Sequence, residues 1–318
     1  MNIAILGFGV VGSGVYEVAM QCNKGINVKS ILDIRDFNGH PAGELFVDNY
    51  DEILNDSSID TVVETIGGID PAYQYTKAAL EHGKNVVSSN KELVATHGAK
   101  LQEIASQNGV CYLFEASVGG GVPIIRPLQQ CLAANQITEI YGILNGTTNY
   151  ILTKMFKEGE RFDDALAEAQ EKGYAEQNPS ADVDGHDTCR KIAILSSLAF
   201  GKNISCDAIP TKGITTITED DIFMAEASDC VIKLIGHAKL VDGEVQCKVE
   251  PMPIPKSSPL ANVDGVFNGI MVHGEPVGEV MFYGRGAGKL PTASAVLADV
   301  IDIASRHSKF NFKRFRQS

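Results

Sequence analysis

The sequence predicts an α/β protein in which a smaller α+β domain is inserted into a doubly wound parallel sheet. The 318 residues are enough for two domains. Strand-like and helix-like segments alternate through residue 116, and a glycine-rich turn follows the first strand. From about residue 126 the alternation gives way to a mixed pattern. We therefore expect one domain at 1–125 plus 288–318 and an inserted domain at 126–287.

Composition and charge narrow the class of protein. Hydrophobic residues make up 44% of the chain and charged residues 21%, which is typical of a folded globular protein. The net charge of −13 argues against nucleic acid as the main partner, because binding the phosphate backbone requires a basic surface. A local basic cluster near the carboxyl end is interpreted as a solvated terminus or a surface-docked strand. It consists of Lys309, Lys313, Arg314 and Arg316.

The chain has the features of a cytoplasmic protein. No apolar run approaches the ~20 residues that span a bilayer, so no membrane partner is expected. The first strand is not preceded by a basic and hydrophobic leader. The seven cysteines are scattered and form no C-x-x-C pair, which favours small buried thiols in a reducing compartment over a disulfide or zinc framework.

A glycine turn follows the first strand, in the stretch N-I-A-I-L-G-F-G-V-V-G. Gly7 permits the tight turn, Gly9 lets the backbone approach a pyrophosphate, and Gly12 lets the helix pack on the strand. The strand–turn–helix context makes this a Rossmann-type dinucleotide site, a stronger prediction than three glycines alone would allow. The predicted cofactor residues of the turn are Gly7, Phe8, Gly9, Val10, Val11 and Gly12.

Two residues after the second strand bear on the choice of cofactor. Asp33 lies about 20 residues past Gly12, where an acid binds the ribose 2′-hydroxyl of NAD. Arg35 is placed to meet the 2′-phosphate of NADP, or is an ordinary solvated cation of the loop. The sequence leaves NAD and NADP open.

Further candidates lie at the carboxyl ends of later strands, where the ligands of such sheets bind. The segments are T-V-V-E-T-I-G-G, N-V-V-S-S-N-K and V-C-Y-L-F-E-A. They add Thr65, Ile66, Gly67, Ser88 and Lys91 to the predicted cofactor site. Lys91 alone is equally well interpreted as a surface lysine. The glycines of E-A-S-V-G-G-G-V-P either turn backbone groups onto a cation or phosphate, or pack closely beneath the cofactor.

Carboxylates cluster in Y-A-E-Q-N-P-S-A-D-V-D-G-H-D-T-C-R-K, directly before an apolar helix predicted at 187–200. An EF-hand is excluded because Gly185 comes too early in the loop. We expect Asp184 to cap the helix, with Asp187 completing a capping box. Lys191 lies on the same helix face as Asp187, four residues on. The pair is either an ordinary surface ion pair or includes a partly buried lysine, whose lowered pKa suits proton transfer.

Together, these motifs resemble the homoserine dehydrogenase family. The matching stretches run from residue 7 to 293 and include G-F-G-V-V-G, E-T-I-G-G, S-S-N-K-E-L-V-A, E-A-S-V-G-G-G-V-P, L-N-G-T-T-N-Y-I-L, residues 173–191 and G-R-G-A-G-K-L-P-T-A. The family reduces aspartate 4-semialdehyde to homoserine with NAD(P)H. The resemblance implies that Lys191 donates the proton and that Lys91 shares this task. It also implies that Glu176 and Asp187 hold the substrate's amino group and that Asp182 orients either the lysine or the substrate. Gly146 and Thr147 would contact the substrate, and Gly288 would lie beside the cofactor.

The resemblance carries further expectations. A monovalent cation, Na⁺ or K⁺, would be bound by the backbone carbonyls of Glu115, Val118, Gly120 and Val122. The protein would be a homodimer or homotetramer. Because the chain stops soon after its last helix, we expect the short form that lacks the regulatory ACT domain, and hence no feedback by threonine. Gln177-Asn178 replaces a more acidic pair often found in the family.

Two other functions remain open from the residues alone. The first is another NAD(P)-dependent oxidoreductase of amino acids or semialdehydes. Within that class, an aspartate-semialdehyde dehydrogenase would need a nucleophilic cysteine, and neither Cys111 nor Cys131 has an obvious partner in the sequence. The second is a dinucleotide-sensing regulator without catalysis, which would not need the set of Glu176, Asp187 and Lys191.

Overall fold

The structure is a computed structural model and describes residues 1–22, 24–37 and 39–306. It contains two compact units. Unit 1 comprises Met1–Leu93, His97–Ala116 and the chain from Thr292 onward, and unit 2 comprises Val94–Thr96 and Ser117–Pro291. The basic cluster at Lys309, Lys313, Arg314 and Arg316 lies outside the described residues.

Unit 1 contains a six-stranded parallel sheet, which confirms the predicted fold class. Its strands are β1 (Asn2–Leu6), β2 (Asn27–Leu32), β3 (Phe46–Val47), β4 (Thr61–Glu64), β5 (Asn85–Ser88) and β6 (Tyr112–Leu113). They lie in the order β3-β2-β1-β4-β5-β6, so the direction of winding reverses between β1 and β4. In such sheets the ligand binds at this reversal. The predicted strand V-C-Y-L-F-E-A is shorter than expected, since only Tyr112–Leu113 pairs.

The helices of unit 1 bury the faces of this sheet. They include α1 (Val10–Gln21), α2 (Tyr50–Asn55), α3 (Ala72–Glu81) and α4 (Lys91–Gln107). Val15 of α1 packs in one cluster with Ile3 and Ile5 of β1, and Val296 and Val300 of the last helix join them. Each of these side chains is fully buried, which contributes about 1.5–3 kcal/mol apiece.

Unit 2 contains a five-stranded antiparallel sheet in the order β11-β10-β7-β8-β9. Its strands are β7 (Gln136–Ile143), β8 (Cys230–Val241), β9 (Glu244–Pro255), β10 (Phe267–Glu275) and β11 (Gly278–Arg285). Its helices are α5 (Gly146–Glu158), α6 (Phe162–Glu171), α7 (Ser180–Val183), α8 (His186–Phe200) and α9 (Glu219–Ala227), and the chain then continues into α10 (Lys289–Arg306). Helix α8 packs on β8 and β9, so its first turns are fixed to the sheet.

The stretch N-G-T-T-N forms the start of α5. Asn145 is the N-cap, and its side-chain oxygen accepts a hydrogen bond of 2.8 Å from the backbone N–H of Thr148. Asparagine favours this position because it satisfies one of the helix's unpaired N–H groups. The cap places the asparagine at the end of β7, next to the carboxylate-rich segment. Among the described residues, no helix combines the length and apolar character needed to cross a membrane.

Candidate active site

The glycine turn of unit 1 has the geometry of a dinucleotide cradle. Gly7 has φ of 87°, a backbone region that favours glycine, and its N–H donates to the carbonyl of Leu32 over 2.8 Å. A Cβ at Gly12 would collide with the carbonyl oxygen of Gly7. The helix therefore lies closer to the strand than any residue with a side chain at this position would allow. Gly9 is the N-cap of α1 and has no side chain to occupy the helix N–H groups. This arrangement fits a pyrophosphate.

Phe8, a predicted cofactor residue, has a buried side chain, so only its backbone is available for a ligand at the turn. The Phe8 ring is buried among Tyr16, Phe37, His40 and Phe46. Its backbone N–H donates to the carboxylate of Asp33 over 2.5 Å. The ring therefore anchors the turn in the core, while the peptide links it to the second strand.

Asp33 and Arg35, which the sequence set against each other, form an ion pair. The Arg35 guanidinium donates to both carboxylate oxygens of Asp33, over 2.9 Å and 2.8 Å. These hydrogen bonds, with one from the Phe8 N–H, lower the pKa of Asp33 to about 2. The Arg35 side chain remains 56% exposed and its guanidinium lies near Gly9. In this position it is accessible to an anionic ligand at the turn.

The ends of β4 and β5 carry the other predicted cofactor residues of unit 1. The Thr65 hydroxyl donates to the carbonyl of Gly7 over 2.8 Å, which ties this loop to the glycine turn. Asn90 caps α4, whose first residue is Lys91. Ile66, Gly67 and Ser88 occupy the same strand ends as Thr65 and Lys91. Sequence reasoning assigned no role to Asn90, although it directly precedes a helix.

In unit 2, Lys191 and Asp187 form a buried ion pair, which answers one of the alternatives left by the sequence. The ammonium Nζ donates to Oδ2 of Asp187 over 2.8 Å and to the carbonyl of Leu144 over 2.8 Å. The two side chains are only 10% and 2% exposed. An ordinary surface pair is therefore excluded, and water screens this interaction poorly.

Asn145 joins the two aspartates of the cluster. Its side-chain amide donates to Oδ1 of Asp182 over 2.7 Å and to Oδ2 of Asp187 over 2.8 Å. The structure thus brings together Asp182, Asp187 and Lys191 around a residue that sequence reasoning missed. The signal was available, because Asn145 belongs to the stretch L-N-G-T-T-N quoted for its glycine and threonine.

Three other predicted substrate residues have different surroundings. Thr147 is buried and its hydroxyl donates to the carbonyl of Tyr174 over 2.7 Å. Gly146 lies so close to the carbonyl of Val266 that a Cβ would be 2.8 Å from its oxygen. The Glu176 side chain is exposed, and its backbone carbonyl accepts a hydrogen bond from Gln170. The buried cluster around Asn145 therefore does not extend to Glu176.

The predicted capping box at the start of α8 is wrong. The N-cap is Gly185, with φ of 88° and no side-chain hydrogen bond, while Asp184 ends the preceding short helix α7. The left-handed backbone at this position favours glycine and shifts the helix start by one residue. Asp187 consequently uses its carboxylate on Lys191 and Asn145 rather than on the helix end.

The two glycine turns of unit 2 pack against each other. The N–H of Gly121 donates to the carbonyl of Arg285 over 3.1 Å, and a Cβ at Gly120 would collide with Gly286. Val118 and Val122, predicted cation ligands with Gly120, are both 1% exposed. Gly288 has φ of 124°. In unit 1, the N–H of Glu115 donates to Asp299 over 2.8 Å.

Side chains do not form a conventional metal centre in the part of the chain that the structure describes, where no group of three or more His, Cys, Asp and Glu residues is suitably arranged. The Rossmann-type strand order, the glycine cradle and the buried lysine–carboxylate cluster together define an NAD(P)-dependent oxidoreductase.

Comparison with known proteins gives the family. A family model described as homoserine dehydrogenase matches residues 123–301, and one described as its NAD binding domain matches residues 7–115. The chain therefore belongs to the homoserine dehydrogenase family, whose reaction is the NAD(P)-dependent interconversion of homoserine and aspartate 4-semialdehyde. The predicted resemblance to this family, and with it the prediction of an NAD(P)-dependent oxidoreductase, is thereby confirmed.

Individual relatives agree over nearly the whole chain. The homoserine dehydrogenase of Synechocystis is 45% identical over 95% of this chain and 73% of its own length. A crystal structure of the enzyme from Thiobacillus denitrificans is 39% identical with a TM-score of 0.92, covering 97% of this chain and 74% of that one. A hyperthermophilic archaeal homoserine dehydrogenase in complex with NADPH is 29% identical with a TM-score of 0.81, covering 98% and 99%.

Proposed function

We propose that Lys191 moves the proton in the interconversion of L-homoserine and L-aspartate 4-semialdehyde, and that Asp182 and Asp187 bind the substrate ammonium. The observation that carries this assignment is the buried lysine, whose Nζ lies 2.8 Å from both the Asp187 carboxylate and the Leu144 carbonyl. Proton transfer by a group in such a position is worth ~10²–10⁴-fold in rate.

The nicotinamide cofactor, when bound, supplies or accepts the hydride at the substrate carbon. In the reducing direction, Lys191 donates a proton to the oxygen that becomes negatively charged. In the oxidising direction, neutral Lys191 accepts the hydroxyl proton. Burial favours both steps because few water molecules need to reorganise around the moving charge. Lys91, at the first position of α4, is proposed as the second group of the proton relay.

The substrate ammonium is matched to the carboxylates by charge. Charge-assisted hydrogen bonds to carboxylates are about twice as strong as neutral ones. Asn145 donates to both Asp182 and Asp187 and so fixes their separation before substrate arrives. Glu176, which is exposed, is proposed to help hold the substrate's amino group, and Gly146 and Thr147 to contact the bound substrate.

Both NADP and NAD are proposed as cofactors. The NADP 2′-phosphate would attract the exposed guanidinium of Arg35, and the NAD 2′-hydroxyl would use the carboxylate of Asp33. The archaeal relative described in complex with NADPH supports the use of NADP. The other proposed cofactor contacts are the glycine turn (residues 7–12), Thr65, Ile66, Gly67, Ser88, Lys91 and Gly288.

A bound cation, self-association and a cytoplasmic location complete the proposal. Na⁺ or K⁺ would be held by the carbonyls of Glu115, Val118, Gly120 and Val122, whose oxygen chemistry suits such ions.

Exposed Tyr283, stacked on Phe267 at the end of the unit 2 sheet, supports a homodimer or homotetramer. All seven cysteines are free, which supports a reducing compartment.

The test is a spectrophotometric assay of homoserine-dependent NADP reduction, with NAD in parallel, for the wild type and Lys191→Ala. We expect kcat to fall by ~10²–10⁴-fold while the cofactor dissociation constant, measured by fluorescence titration, stays unchanged. Near-normal turnover of the variant would contradict the assignment and make Lys91 the better proton donor. Comparing Lys191→Ala, Lys91→Ala and the double variant separates a single donor from a relay.

A further inference from the structure

Glu64 is a buried acid at the cofactor end of the unit 1 sheet. It is the last residue of β4, is fully buried, and pairs in register with Ser88 of β5. An ionisable side chain in this position costs free energy unless its neighbours stabilise one of its forms. The proposed reaction gives Glu64 no task.

The Glu64 carboxylate is the centre of a hydrogen-bond network. The Ser88 hydroxyl donates to Oε2 over 2.5 Å, and the N–H of Ile66 donates to Oε1 over 2.7 Å. The Ser88 oxygen in turn accepts from the N–H of Asn90 over 3.1 Å. Because the Ser88 oxygen accepts this hydrogen bond, its hydroxyl hydrogen is free to point to the carboxylate.

Asn90 extends the network to a loop and a helix. Its side-chain amide donates to the carbonyls of Ile66 and Gly68 over 3.0 Å and 2.6 Å. Its side-chain oxygen accepts from the N–H of Leu93 over 3.0 Å and so caps α4. Lys91 is the next residue after this cap. The buried carboxylate is thus linked by hydrogen bonds to both strand ends and, through Ser88 and Asn90, to the first turn of α4.

We propose that Glu64 is a positioning residue for the cofactor edge: its ionised carboxylate orients Ser88 and, through Asn90, Lys91. Protonation at Oε2 turns this oxygen from an acceptor into a donor, so the Ser88 hydroxyl must turn away from it and the cap loosens. This inference rests on the proposed cofactor roles of Ser88 and Lys91. It assigns Glu64 no contact with the cofactor itself.

The carboxylate titrates where the proposal can be tested. Burial raises the pKa of Glu64 to about 7, against the opposing hydrogen bonds from Ser88, Ile66 and Asn90. The titratable neighbour on β6 is Tyr112; burial, with the Glu64 charge, raises its pKa well above the ordinary value, so it stays neutral. Since the folded pKa exceeds the unfolded value of about 4.3, the associated stability is full below pH ~4.3 and is lost as pH rises through about 7.

Ionisation of Glu64 therefore improves the positioning of Ser88 and Lys91 but lowers the free energy of unfolding. The Glu64→Gln variant separates these two effects. The amide cannot ionise and resembles the protonated acid in shape. We expect its kcat/KM for NADP to be roughly tenfold below wild type at pH about 8.5 and close to wild type at pH about 5.5. Its Tm should exceed that of the wild type at the higher pH, so loss of folding cannot explain loss of rate. Taking the variant-to-wild-type ratio cancels ionisations that both proteins share.

Two variants serve as controls. Glu64→Asp keeps an ionisable group, so the ratio of its rate to that of the wild type should change less with pH than the ratio for Glu64→Gln. Glu81→Gln removes an exposed carboxylate at the end of α3 and should give a ratio near one at every pH. If Glu64→Gln does not fold, Ser88→Ala removes the hydroxyl between Glu64 and Asn90, and the ratio of its rate to that of the wild type should likewise fall between pH about 5.5 and about 8.5.

Specific results overturn the proposal. A Glu64→Gln ratio that is constant across the pH range, or a rate that falls only in parallel with Tm, assigns Glu64 a purely structural role. Lys91→Met, measured beside it, distinguishes failure of the underlying assignment. If Lys91→Met loses rate and Glu64→Gln does not, the positioning role of Glu64 is refuted while the role of Lys91 stands. Normal rates in Lys91→Met refute the proposed role of Lys91.

Discussion

The two units each contain an aspartate paired to a cation at 2.8 Å, but the surroundings of the pairs differ. In unit 1, Arg35 of the pair with Asp33 is 56% exposed. In unit 2, Lys191 and Asp187 are 10% and 2% exposed. Water and salt screen the first pair, whereas the second depends on its partner to compensate for lost hydration. The two ion pairs therefore have the same length but different properties. The cation of the Asp33–Arg35 pair is accessible to solvent and ligands, whereas both charges of the Asp187–Lys191 pair are held in the interior.

This difference has a functional consequence. Because its guanidinium is exposed, Arg35 can reach a phosphate, and the backbone N–H groups of Phe8 and Arg35 still donate to Asp33, whose side chain is only 6% exposed. Lys191 has no such freedom, since removal of either partner leaves a buried charge unpaired. The unit 1 pair therefore suits selection between cofactors, and the unit 2 pair suits chemistry that requires a lysine held in one position.

The largest effect is expected from breaking the buried pair. Asp187→Asn removes the charge beside Lys191 and should lower the free energy of unfolding by about 3–5 kcal/mol, besides raising KM for homoserine. Denaturant unfolding and steady-state kinetics measure the two effects. The double variant Asp187→Asn with Lys191→Met should recover most of the stability and none of the activity. If the double variant is no more stable than the single one, burial of the charge is not the cause.

A smaller effect is expected at the residue that joins the carboxylates. Asn145→Ala removes the N-cap of α5 and the donors to Asp182 and Asp187. We expect a loss of about 1–3 kcal/mol in unfolding free energy and a higher KM for homoserine, with the cofactor KM unchanged. Asn145→Ser keeps a capping oxygen without the amide donors and is the matched control. It should retain more stability than Asn145→Ala, yet show the same rise in KM for homoserine, because Asp182 and Asp187 still lose their donor.

The exposed pair predicts a selective effect on affinity. Arg35→Ala should raise KM for NADP roughly tenfold while leaving KM for NAD nearly unchanged, because only NADP has the 2′-phosphate. Kinetics with both cofactors at low and high salt make the comparison, and the NADP effect should shrink as salt rises. Equal losses for both cofactors, or none, would show that Arg35 does not face the phosphate.

The smallest effect calibrates the comparison. Lys77 and Glu81 also form an i, i+4 pair, at 2.6 Å, but their side chains are 37% and 44% exposed. Glu81→Gln should lower the free energy of unfolding by only about 0.3–0.5 kcal/mol. A loss comparable to that of Asp187→Asn would mean that helix spacing, rather than burial, sets the value of such pairs.

Several features of the site could be predicted from the sequence because their cause is local. The glycine turn requires φ above zero at Gly7 and backbone contact at Gly12, and only glycine meets both demands. The alternating strands and helices predict the parallel sheet through their periodicity. The four-residue spacing of Asp187 and Lys191 places them on one helix face whatever surrounds the helix.

Other features were decided by contacts between distant parts of the chain. Asn145 meets Asp182 and Asp187 only because β7 ends beside the start of α8. Glu64 is an acid like many others in the sequence until β5 covers it and supplies Ser88. Asp33 accepts a hydrogen bond from the N–H of Phe8, 25 residues away, because β1 and β2 lie side by side. Local sterics are encoded in neighbouring residues, whereas burial, hydration and pKa depend on which residues the fold packs around a group, and these belong to other segments of the chain.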